Sequence, residues 1–317
     1  MAKQKLLITG SAGFVCNILA RKIIYNKLNY EVVSIDKVTD PKGLNNIYLN
    51  KNHNFYLGDV ADAHFVEMVF QLEQPDLVIH GAAETSTASA LANPIPFIHS
   101  NVLGTQTIID ACIKHKVQKL IYISTDEVLG SLARDEKPWS ETTAINPLNP
   151  SAATKASAEH LIRAAHQTQG LQYNITRCVN NFGPRQVSKY LVPMIIKNVL
   201  NNTPITLHGQ GQHIREWISV DDHCIGILAT LAAPANEIYH ISTGWELSTL
   251  EMAQEICNLI GRGHELITFI PDRPGNNTRY SLDSTKLRGL GWKPTVKFKE
   301  ALQNTIDWYQ INQWILK

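Results

Sequence analysis

Two short stretches hold the residue types that could carry out acid and base chemistry. Asp126 and Glu127 are adjacent carboxylic acids that follow the apolar run Lys119 to Ile123. Two neighbouring carboxyl groups can act as a general acid and a general base only when burial or hydrogen bonding gives them different protonation states at one pH. Ser151 and Lys155 are spaced by one helical turn, which places both on one face of a helix. The two acids could instead cap the following turn or lie solvated at a strand end.

A glycine turn near the start of the chain indicates a dinucleotide site. Gly10 permits a tight bend after a short apolar run, and Gly13 lets backbone amides approach a pyrophosphate at the start of a helix. Cys16 takes the third glycine position, which serves helix packing and can accept a small thiol. Asp36 ends the second apolar run, where a carboxylate accepts hydrogen bonds from ribose hydroxyls and disfavours a 2′-phosphate. NAD is therefore the expected cofactor, in preference to NADP.

The elements that must position these residues alternate between strands and helices. After a first strand over Lys5 to Thr9 and a helix from about Asn17 to Asn26, apolar runs recur at intervals long enough for helices. They cover Val32 to Ile35, Leu77 to His80, Lys119 to Ile123 and Ile175 to Val179. This alternation predicts an α/β fold, a Rossmann-type doubly wound parallel sheet covered on both faces.

The regular alternation of strands and helices ends at about Gly183, and prolines and glycines separate shorter elements after it. We therefore expect an NAD-binding Rossmann domain over residues 1–180 and a smaller C-terminal domain over 181–317 that mainly binds the substrate. A segment near 216–243 is expected to return to the first domain as a helix and an added strand.

Composition excludes several classes of function. Lysine and arginine total 29 against 28 acidic residues, so the formal net charge of +1 gives no global attraction to nucleic acid or to a charged membrane surface. The five cysteines lack any C-x-x-C spacing, which favours reduced, buried thiols over disulfides or a metal site. We find neither an apolar stretch of transmembrane length nor a secretory core after Met1, and expect a cytoplasmic protein.

Motifs spread over nearly the whole chain form a recognisable set. The matching stretches are His80-Gly81-Ala82-Ala83-Glu84, Asn101, Ser124-Thr125-Asp126-Glu127-Val128, Asn180-Asn181-Phe182-Gly183-Pro184, Arg215 to Asp222, Arg273-Pro274-Gly275, Arg279-Tyr280 and Gly291-Trp292-Lys293-Pro294. With these motifs the chain resembles the extended short-chain dehydrogenase/reductases, and within them the nucleotide-sugar 4,6-dehydratases. The Thr-Asp-Glu triplet is the most specific sign, because epimerases of the same fold generally lack that acidic pair.

The resemblance implies an oxidation, an elimination and a hydride return on a dTDP- or UDP-linked hexose of the glucose type. NAD takes hydride from sugar carbon 4, and the resulting ketone acidifies the hydrogen on carbon 5. By resemblance, Glu127 removes that proton, Asp126 protonates the departing 6-hydroxyl and Thr125 donates a hydrogen bond to the oxygen on carbon 4. Lys155 orients the nicotinamide ribose and supplies positive charge beside the reacting centre. The expected product is a 4-keto-6-deoxy sugar nucleotide.

The resemblance also assigns two sets of binding residues. The expected cofactor-binding residues are Gly10, Ala12, Gly13, Phe14, Val15, Asp36, Asp59, Val60, Ala82, Ala83, Asn101 and Lys155. The expected substrate-binding residues are Glu84, Asn181, Lys189, Arg215, Arg273 and Asn276. Arg215 and Arg273 are expected to hold the diphosphate, because guanidinium forks match phosphate oxygens. Asn276 stands where related dehydratases often have histidine, which leaves the nucleotide preference open.

Ser151 is the main departure from the family pattern, which has a catalytic tyrosine at this position. That tyrosine accepts the hydroxyl proton during hydride transfer, and an unactivated serine is shorter and far less acidic. Losing a positioned base typically costs about a hundredfold to ten-thousandfold in rate. Three explanations stay open: an active site that uses another base, a loss of activity, or a shifted register, which the matching continuation from Lys155 to Leu161 disfavours.

Two other functions compete with the dehydratase. One is an NAD-dependent sugar-nucleotide 4-epimerase, and the other is a catalytically silent protein that binds nucleotide sugar. The resemblance also implies a homodimer, built on the helix that contains Lys155 and on the helix near Val102 to Lys114.

Overall fold

The fold alternates strands with helices, as the sequence pattern predicts. The computed structural model describes residues 3–38, 43, 46–47, 53–272 and 277–316. Its strands are β1 (Gln4–Thr9), β2 (Tyr30–Asp36), β3 (His53–Leu57), β4 (Leu77–His80), β5 (Lys119–Ile123), β6 (Tyr173–Cys178), β7 (Asn180–Phe182), β8 (Ile205–His208), β9 (Ile214–Ser219), β10 (Glu237–Ile241), β11 (Glu246–Ser248) and β12 (Ile267–Ile270). Its helices are α1 (Phe14–Tyr25), α2 (Ala63–Glu73), α3 (Thr87–Ala92), α4 (Ile95–Phe97), α5 (Gly104–Lys114), α6 (Pro150–Gln169), α7 (Leu191–Leu200), α8 (Val220–Ala232), α9 (Thr249–Ile260), α10 (Thr285–Gly289) and α11 (Phe298–Ile311).

Seven strands form one parallel sheet in the order β3-β2-β1-β4-β5-β6-β10. The strand order reverses beside β1, and the carboxyl ends of the strands there open onto a crevice where ligands bind in sheets of this kind. The predicted Rossmann-type α/β fold is confirmed. The first helix begins at Phe14, three residues before the predicted start, because Gly13 is its N-cap.

Both faces of the sheet are buried. Successive residues of a strand point to opposite faces, so Leu6 and Ile8 join one apolar layer and Leu7 joins the other. The first layer contains residues of α1 and α8, and the second contains residues of α2, α5 and α6. Full burial on both sides explains why these strands read as continuous apolar runs.

The segment after β9 comes back to the large sheet. Helix α8 packs against α1, and β10 pairs in parallel with β6, with Ile238 opposite Ile175. The remaining strands form a small sheet of β11, β9 and β7 and a parallel pair of β12 and β8. A third apolar cluster joins α7, α9 and α11 through Ile195, Ile256 and Leu302.

Candidate active site

A cavity of about 450 Å³ follows the carboxyl ends of the parallel strands. Its wall includes the loops that follow β1, β2, β3, β4, β5 and β6, together with the start of α6. The expected catalytic residues that line it are Thr125, Asp126, Glu127, Ser151 and Lys155. The expected cofactor residues that line it are Gly10, Ala12, Gly13, Phe14, Val15, Asp36, Asp59, Val60, Ala82, Ala83 and Lys155. The fold thus brings the two sets, far apart in sequence, to one opening.

The glycine turn is shaped by two close approaches. Gly10 has a φ of +79°, and a β-carbon there would lie 2.7 Å from the backbone nitrogen of Ala82, so only glycine fits without displacement. At the third glycine position, the thiol of Cys16 fills space that Gly81 leaves open, since a β-carbon on Gly81 would overlap the sulfur. This pairing explains how the turn accepts a side chain at position 16.

Asp36 fixes the rim of the same turn. Its carboxylate accepts hydrogen bonds from the amides of Ala12 (2.9 Å) and Val38 (2.7 Å). Next to it, the ammonium of Lys37 bridges the carboxylates of Asp59 (3.7 Å) and Glu84 (3.2 Å). Glu84, expected to bind substrate, therefore already has a cationic partner at the cavity wall.

Asn101 is buried behind the cavity wall and hydrogen-bonds to two of the segments that form it. It lies in a π-helical turn, Ile98–Leu103, between α4 and α5. Its side chain exchanges two hydrogen bonds with the backbone of Glu84 (2.8 and 2.9 Å) and donates a third to the hydroxyl of Thr154 (2.9 Å). The residue expected to contact cofactor is buried in this network and ties the loop after β4 to α6.

The two acids occupy different environments. Asp126 is 3% exposed and one of its oxygens has no hydrogen-bond partner among the described residues, whereas Glu127 is half-buried. Burial, reinforced by the neighbouring Glu127 carboxylate, raises the pKa of Asp126 to about 8. Asp126 therefore carries a proton at neutral pH. The amide of Asn149 donates to Glu127 Oε2 at 2.7 Å, which aims that carboxylate.

Glu216 and Arg215 contribute opposite charges near Asp126. Glu216 is buried and accepts hydrogen bonds from the amides of Thr243, Gly244 and Leu282 and from Ser281. Arg215 donates to the carbonyls of Ile214 (2.8 Å) and Asn277 (2.9 Å) and lies 4.6 Å from the ring centroid of Tyr280. Arg215 thus sits near Asp126, and one of its hydrogen bonds reaches the loop that precedes Tyr280.

Ser151 and Lys155 lie one turn apart near the start of α6, and each is 6% exposed. The Lys155 ammonium donates to the carbonyl of Ile123 (2.6 Å) and lies 4.0 Å from the ring centroid of Tyr122. Burial lowers the pKa of Lys155 to about 7. The Ser151 hydroxyl makes no hydrogen bond with any residue that the structure describes, and its backbone carbonyl accepts one from Thr154.

Further expected substrate residues surround the opening. The side-chain oxygen of Asn181 is buried without a hydrogen-bond partner among the described residues, so it can accept one from a ligand. Lys189 is exposed on the rim, and its ammonium lies 5.4 Å from the ring centroid of Tyr190. Arg273 and Asn276 lie outside the described residues.

Asn149 and His223 are examples of site residues that the sequence analysis does not identify. Asn149 orients the Glu127 carboxylate and also caps α6. The Asn-Pro pair at the start of the helix is the sequence feature that could have predicted the capping role. His223 lines the cavity, is 1% exposed, and has both ring nitrogens without partners among the described residues. Burial lowers the pKa of His223 to about 3, so the ring is neutral. A histidine inside a helix gave no signal of this placement.

The parts of the chain that the structure describes contain neither a membrane-spanning helix nor a candidate metal cluster. None of their helices is long and apolar enough to cross a membrane. Nor do the same residues contain a group of three or more histidine, cysteine, aspartate or glutamate side chains that could hold a metal ion.

The fold and the cavity place the chain in a class of α/β proteins. In this class a glycine turn suited to a dinucleotide and a pair of acids lie at the carboxyl ends of the strands of one parallel sheet. Comparison with known proteins then gives the family. The family model described as GDP-mannose 4,6 dehydratase matches residues 7–305. The chain belongs to this family, and the resemblance to nucleotide-sugar 4,6-dehydratases is confirmed.

Individual relatives agree with this placement. A dTDP-glucose 4,6-dehydratase of Streptomyces niveus is 37% identical, over 98% of this chain and 94% of that enzyme. The structure of DesIV, a dTDP-glucose 4,6-dehydratase of Streptomyces venezuelae with NAD and TYD bound, is 35% identical with a TM-score of 0.94 over 99% of each chain. A UDP-glucose 4-epimerase of Thermotoga maritima with UDP-glucose is 28% identical, with a TM-score of 0.92 over 98% of this chain and 100% of that chain.

Proposed function

We propose that this chain is an NAD-dependent nucleotide-hexose 4,6-dehydratase that converts a dTDP- or UDP-glucose-type sugar to its 4-keto-6-deoxy product. The observation that carries the proposal is the pair of acids in unlike settings. Asp126 is buried and protonated at neutral pH, while Glu127 is half-buried and held by Asn149. An elimination needs such a division of roles between adjacent carboxyl groups.

The residues at the other end of the cavity fit NAD. Gly10 and Gly13 open the backbone at the start of α1, where the helix N-terminus favours a pyrophosphate. The Asp36 carboxylate, oriented by two amides, can accept hydrogen bonds from ribose hydroxyls. When bound there, NAD would accept the hydride of sugar carbon 4 and later return it to carbon 6.

The chain's own groups would manage the protons. Lys155 lies beside the loop that carries the acids and would hold the nicotinamide ribose. Glu127 would remove the proton from carbon 5, and Asp126 would give its proton to the departing 6-hydroxyl. Thr125, whose hydroxyl donates to Asp126 at 3.0 Å, would turn to the oxygen on carbon 4 when substrate is present.

The nucleotide-sugar contacts are proposed for the rim and the C-terminal part of the chain. Asn181 offers a free acceptor and Lys189 an exposed cation, and both line the cavity. Arg215 lies near Asp126 and, with Arg273, is proposed to hold the diphosphate. Glu84 and Asn276 complete the proposed set.

The organisation of the protein is proposed on the same grounds. We propose an NAD-binding domain over 1–180, joined by the returning segment 216–243, and a substrate domain over 181–317. A cytoplasmic homodimer through α5 and α6 is also proposed. It is supported by three exposed apolar side chains in α4 and in the π-helical turn that leads into α5, namely Ile95 (66% exposed), Ile98 (48%) and Leu103 (49%). Light scattering of the purified protein tests the dimer.

The reaction is tested in deuterated water with NAD and either dTDP-glucose or UDP-glucose. A dehydratase gives a product lighter than the substrate by one water, with solvent deuterium at carbon 5, as read by mass and proton spectra. A 4-epimerase gives an isomer without that deuterium. Tight nucleotide-sugar binding without any product would identify a silent binding protein and overturn the proposal.

A further inference from the structure

The proposed reaction needs a base for the 4-hydroxyl proton, and α6 lacks the tyrosine that the family uses. Ser151 occupies the place, buried at the cavity wall, with a hydroxyl that makes no hydrogen bond to the described protein. A hydroxyl that lines a cavity without a protein partner can accept a hydrogen bond from a bound ligand and donate one to it.

Lys155 lies one turn along the same helix face and forms no salt bridge with the residues that the structure describes. The nearest acid on the helix, Glu159, accepts two hydrogen bonds from Arg177 (3.1 and 2.6 Å) and one from Ser124 (2.5 Å). The Lys155 nitrogen is left with one carbonyl and one aromatic ring. Glu159 attracts the Lys155 charge, but burial is the larger effect and favours the neutral amine, which is a base.

We propose that Ser151 and Lys155 together form the base that replaces the missing tyrosine, with the serine hydroxyl relaying the sugar 4-hydroxyl proton to the lysine amine. This inference rests on the proposed dehydratase function. In the step, the 4-hydroxyl O–H bond breaks and its proton goes to Ser151 Oγ. The proton of the serine hydroxyl passes through a bridging water molecule to Lys155 Nζ, because the lysine nitrogen hydrogen-bonds to the carbonyl of Ile123 and not to the serine. The C4–H bond breaks at the same time and its electron pair leaves as hydride to the oxidised nicotinamide. The products are a C4 ketone, reduced cofactor and a Lys155 ammonium.

The proton balance closes over the cycle. Asp126 gives up its proton when the 6-hydroxyl leaves as water, so the turnover ends with an Asp126 carboxylate and a Lys155 ammonium. The ammonium returns its proton to that carboxylate through solvent, which resets both groups. Glu127 takes a proton from carbon 5, exchanges it with solvent and gives a solvent-derived proton back, so its own protonation state is unchanged over the cycle.

The described titratable groups packed around Lys155 have pKa values far from 7, so the lysine is the member of this cluster that is expected to titrate near neutral pH. From α1 comes the Cys16 thiol, whose pKa burial raises to about 12, and from β4 comes His80, whose pKa burial lowers to about 3. From β5 comes Tyr122, whose pKa burial raises well above its usual value. Glu159 is held by Arg177, as described above. The wild-type rate should therefore rise with pH through a limb near pH 7, where Lys155 loses its proton.

A rival base stands on another wall of the cavity. The phenol of Tyr190 is 2.7 Å from the hydroxyl of Thr85, and its ring lies below the Lys189 ammonium. Neither contact places a cation at the phenol oxygen. The α6 pair is preferred because the serine and the lysine share one helix face at the wall where the family's base resides.

The test uses the full chain with NAD and whichever of dTDP-glucose and UDP-glucose it converts. Ser151→Ala and Lys155→Arg should each lower kcat about a hundredfold or more, and the double variant should lose no more than either alone, because the two residues act as a unit. The limb near pH 7 should be absent in Lys155→Arg. Ser157→Ala, on the exposed face of the same helix, is the matched control and should stay within threefold of wild type.

A second readout does not depend on turnover. Acetylation of Lys155 by limiting acetic anhydride, followed by peptide mass spectrometry, should reach half its limiting rate near pH 7, with the 76% exposed Lys299 as internal reference. A midpoint for Lys155 equal to that of Lys299 would overturn the proposal. So would product formation that Ser151→Ala leaves within threefold of wild type, or a large loss found in Tyr190→Phe instead. Absence of any keto product from wild type would instead count against the dehydratase function itself.

Discussion

The two ends of the cavity are built in different ways. At the cofactor end the shape is set mainly by backbone: the left-handed Gly10, the start of α1 and two amides that hold Asp36. At the sugar end it is set by side chains from separate elements, among them Asp126 after β5 and Ser151 on α6. Backbone geometry tolerates few changes, whereas side-chain chemistry changes with a single residue.

We therefore expect changes at one end of the cavity to alter cofactor binding and changes at the other end to alter turnover. Under the proposed replacement of the family's tyrosine by Ser151, the reacting centre lacks one phenol, while Lys155, α6 and its cap are in place. The dinucleotide turn at Gly10 lies at the other end of the cavity.

The largest effect is expected from the acids at the sugar end. Asp126→Asn and Glu127→Gln should each lower kcat about 100- to 10,000-fold, because each removes a proton-transfer group while keeping its shape. The dissociation constant for NAD, measured by calorimetry, should stay within threefold of wild type. Rates within tenfold of wild type in both variants would mean that these acids do not carry the elimination.

At the cofactor end, Gly10→Ala should weaken NAD binding about a hundredfold. The substitution adds left-handed strain of about 1–3 kcal/mol and pushes a methyl group towards the backbone of Ala82. The matched control is Gly261→Ala, which has a similar φ of +78° but open space around the added carbon. If both variants bind NAD equally well, the close approach at Ala82 does not shape the site.

The pH dependence of kcat should distinguish the titration of Asp126 from that of the neighbouring groups. Asp126 must be protonated to release water, so kcat should fall about tenfold per pH unit above about 8. Burial holds the pKa of Cys178 and Tyr280, which sense the Asp126 charge, well above their usual values. This limb should be missing from the residual activity of Asp126→Asn. A limb that persists unchanged there belongs to another group.

The parts of the molecule that sequence could predict are those fixed by local pattern. One strand–turn–helix–strand unit contains the apolar run that ends at Thr9, the glycine turn and Asp36. The spacing of these residues along the chain is therefore enough to predict that the turn and the carboxylate lie close together. Helix α8 and strand β10 continue the alternation, and β10 pairs with β6, while the division into domains stays a prediction.

The parts that sequence could not predict depend on distant packing. The split between Asp126 and Glu127 arises from burial under several elements and from Asn149, which comes from another loop. His223 reaches the cavity only because α8 packs back onto the large sheet. Arg215 is predicted as a phosphate ligand from its motif, and the motif does not indicate that the guanidinium also donates to the carbonyls of Ile214 and Asn277.

The smallest effect should come from Asn149, which supports both the fold and the site. Asn149→Ala removes the cap of α6, whose acceptor receives the amide of Ala152 at 2.9 Å, and should cost about 1 kcal/mol of unfolding free energy. It also frees Glu127, so kcat should fall about tenfold. Ser248→Ala removes an equivalent cap from α9, distant in sequence from the acids, and should match the stability loss without the kinetic one.

Asn149→Asp sharpens the same experiment, because aspartate keeps the capping acceptor but replaces the donor to Glu127 with a like charge. Its midpoint in urea should equal that of wild type while kcat falls at least as far as in Asn149→Ala. If Asn149→Asp instead retains full activity, the amide serves the helix alone. The orientation of Glu127 would then have to come from substrate, which would make the sugar end of the cavity a site that is completed only on binding.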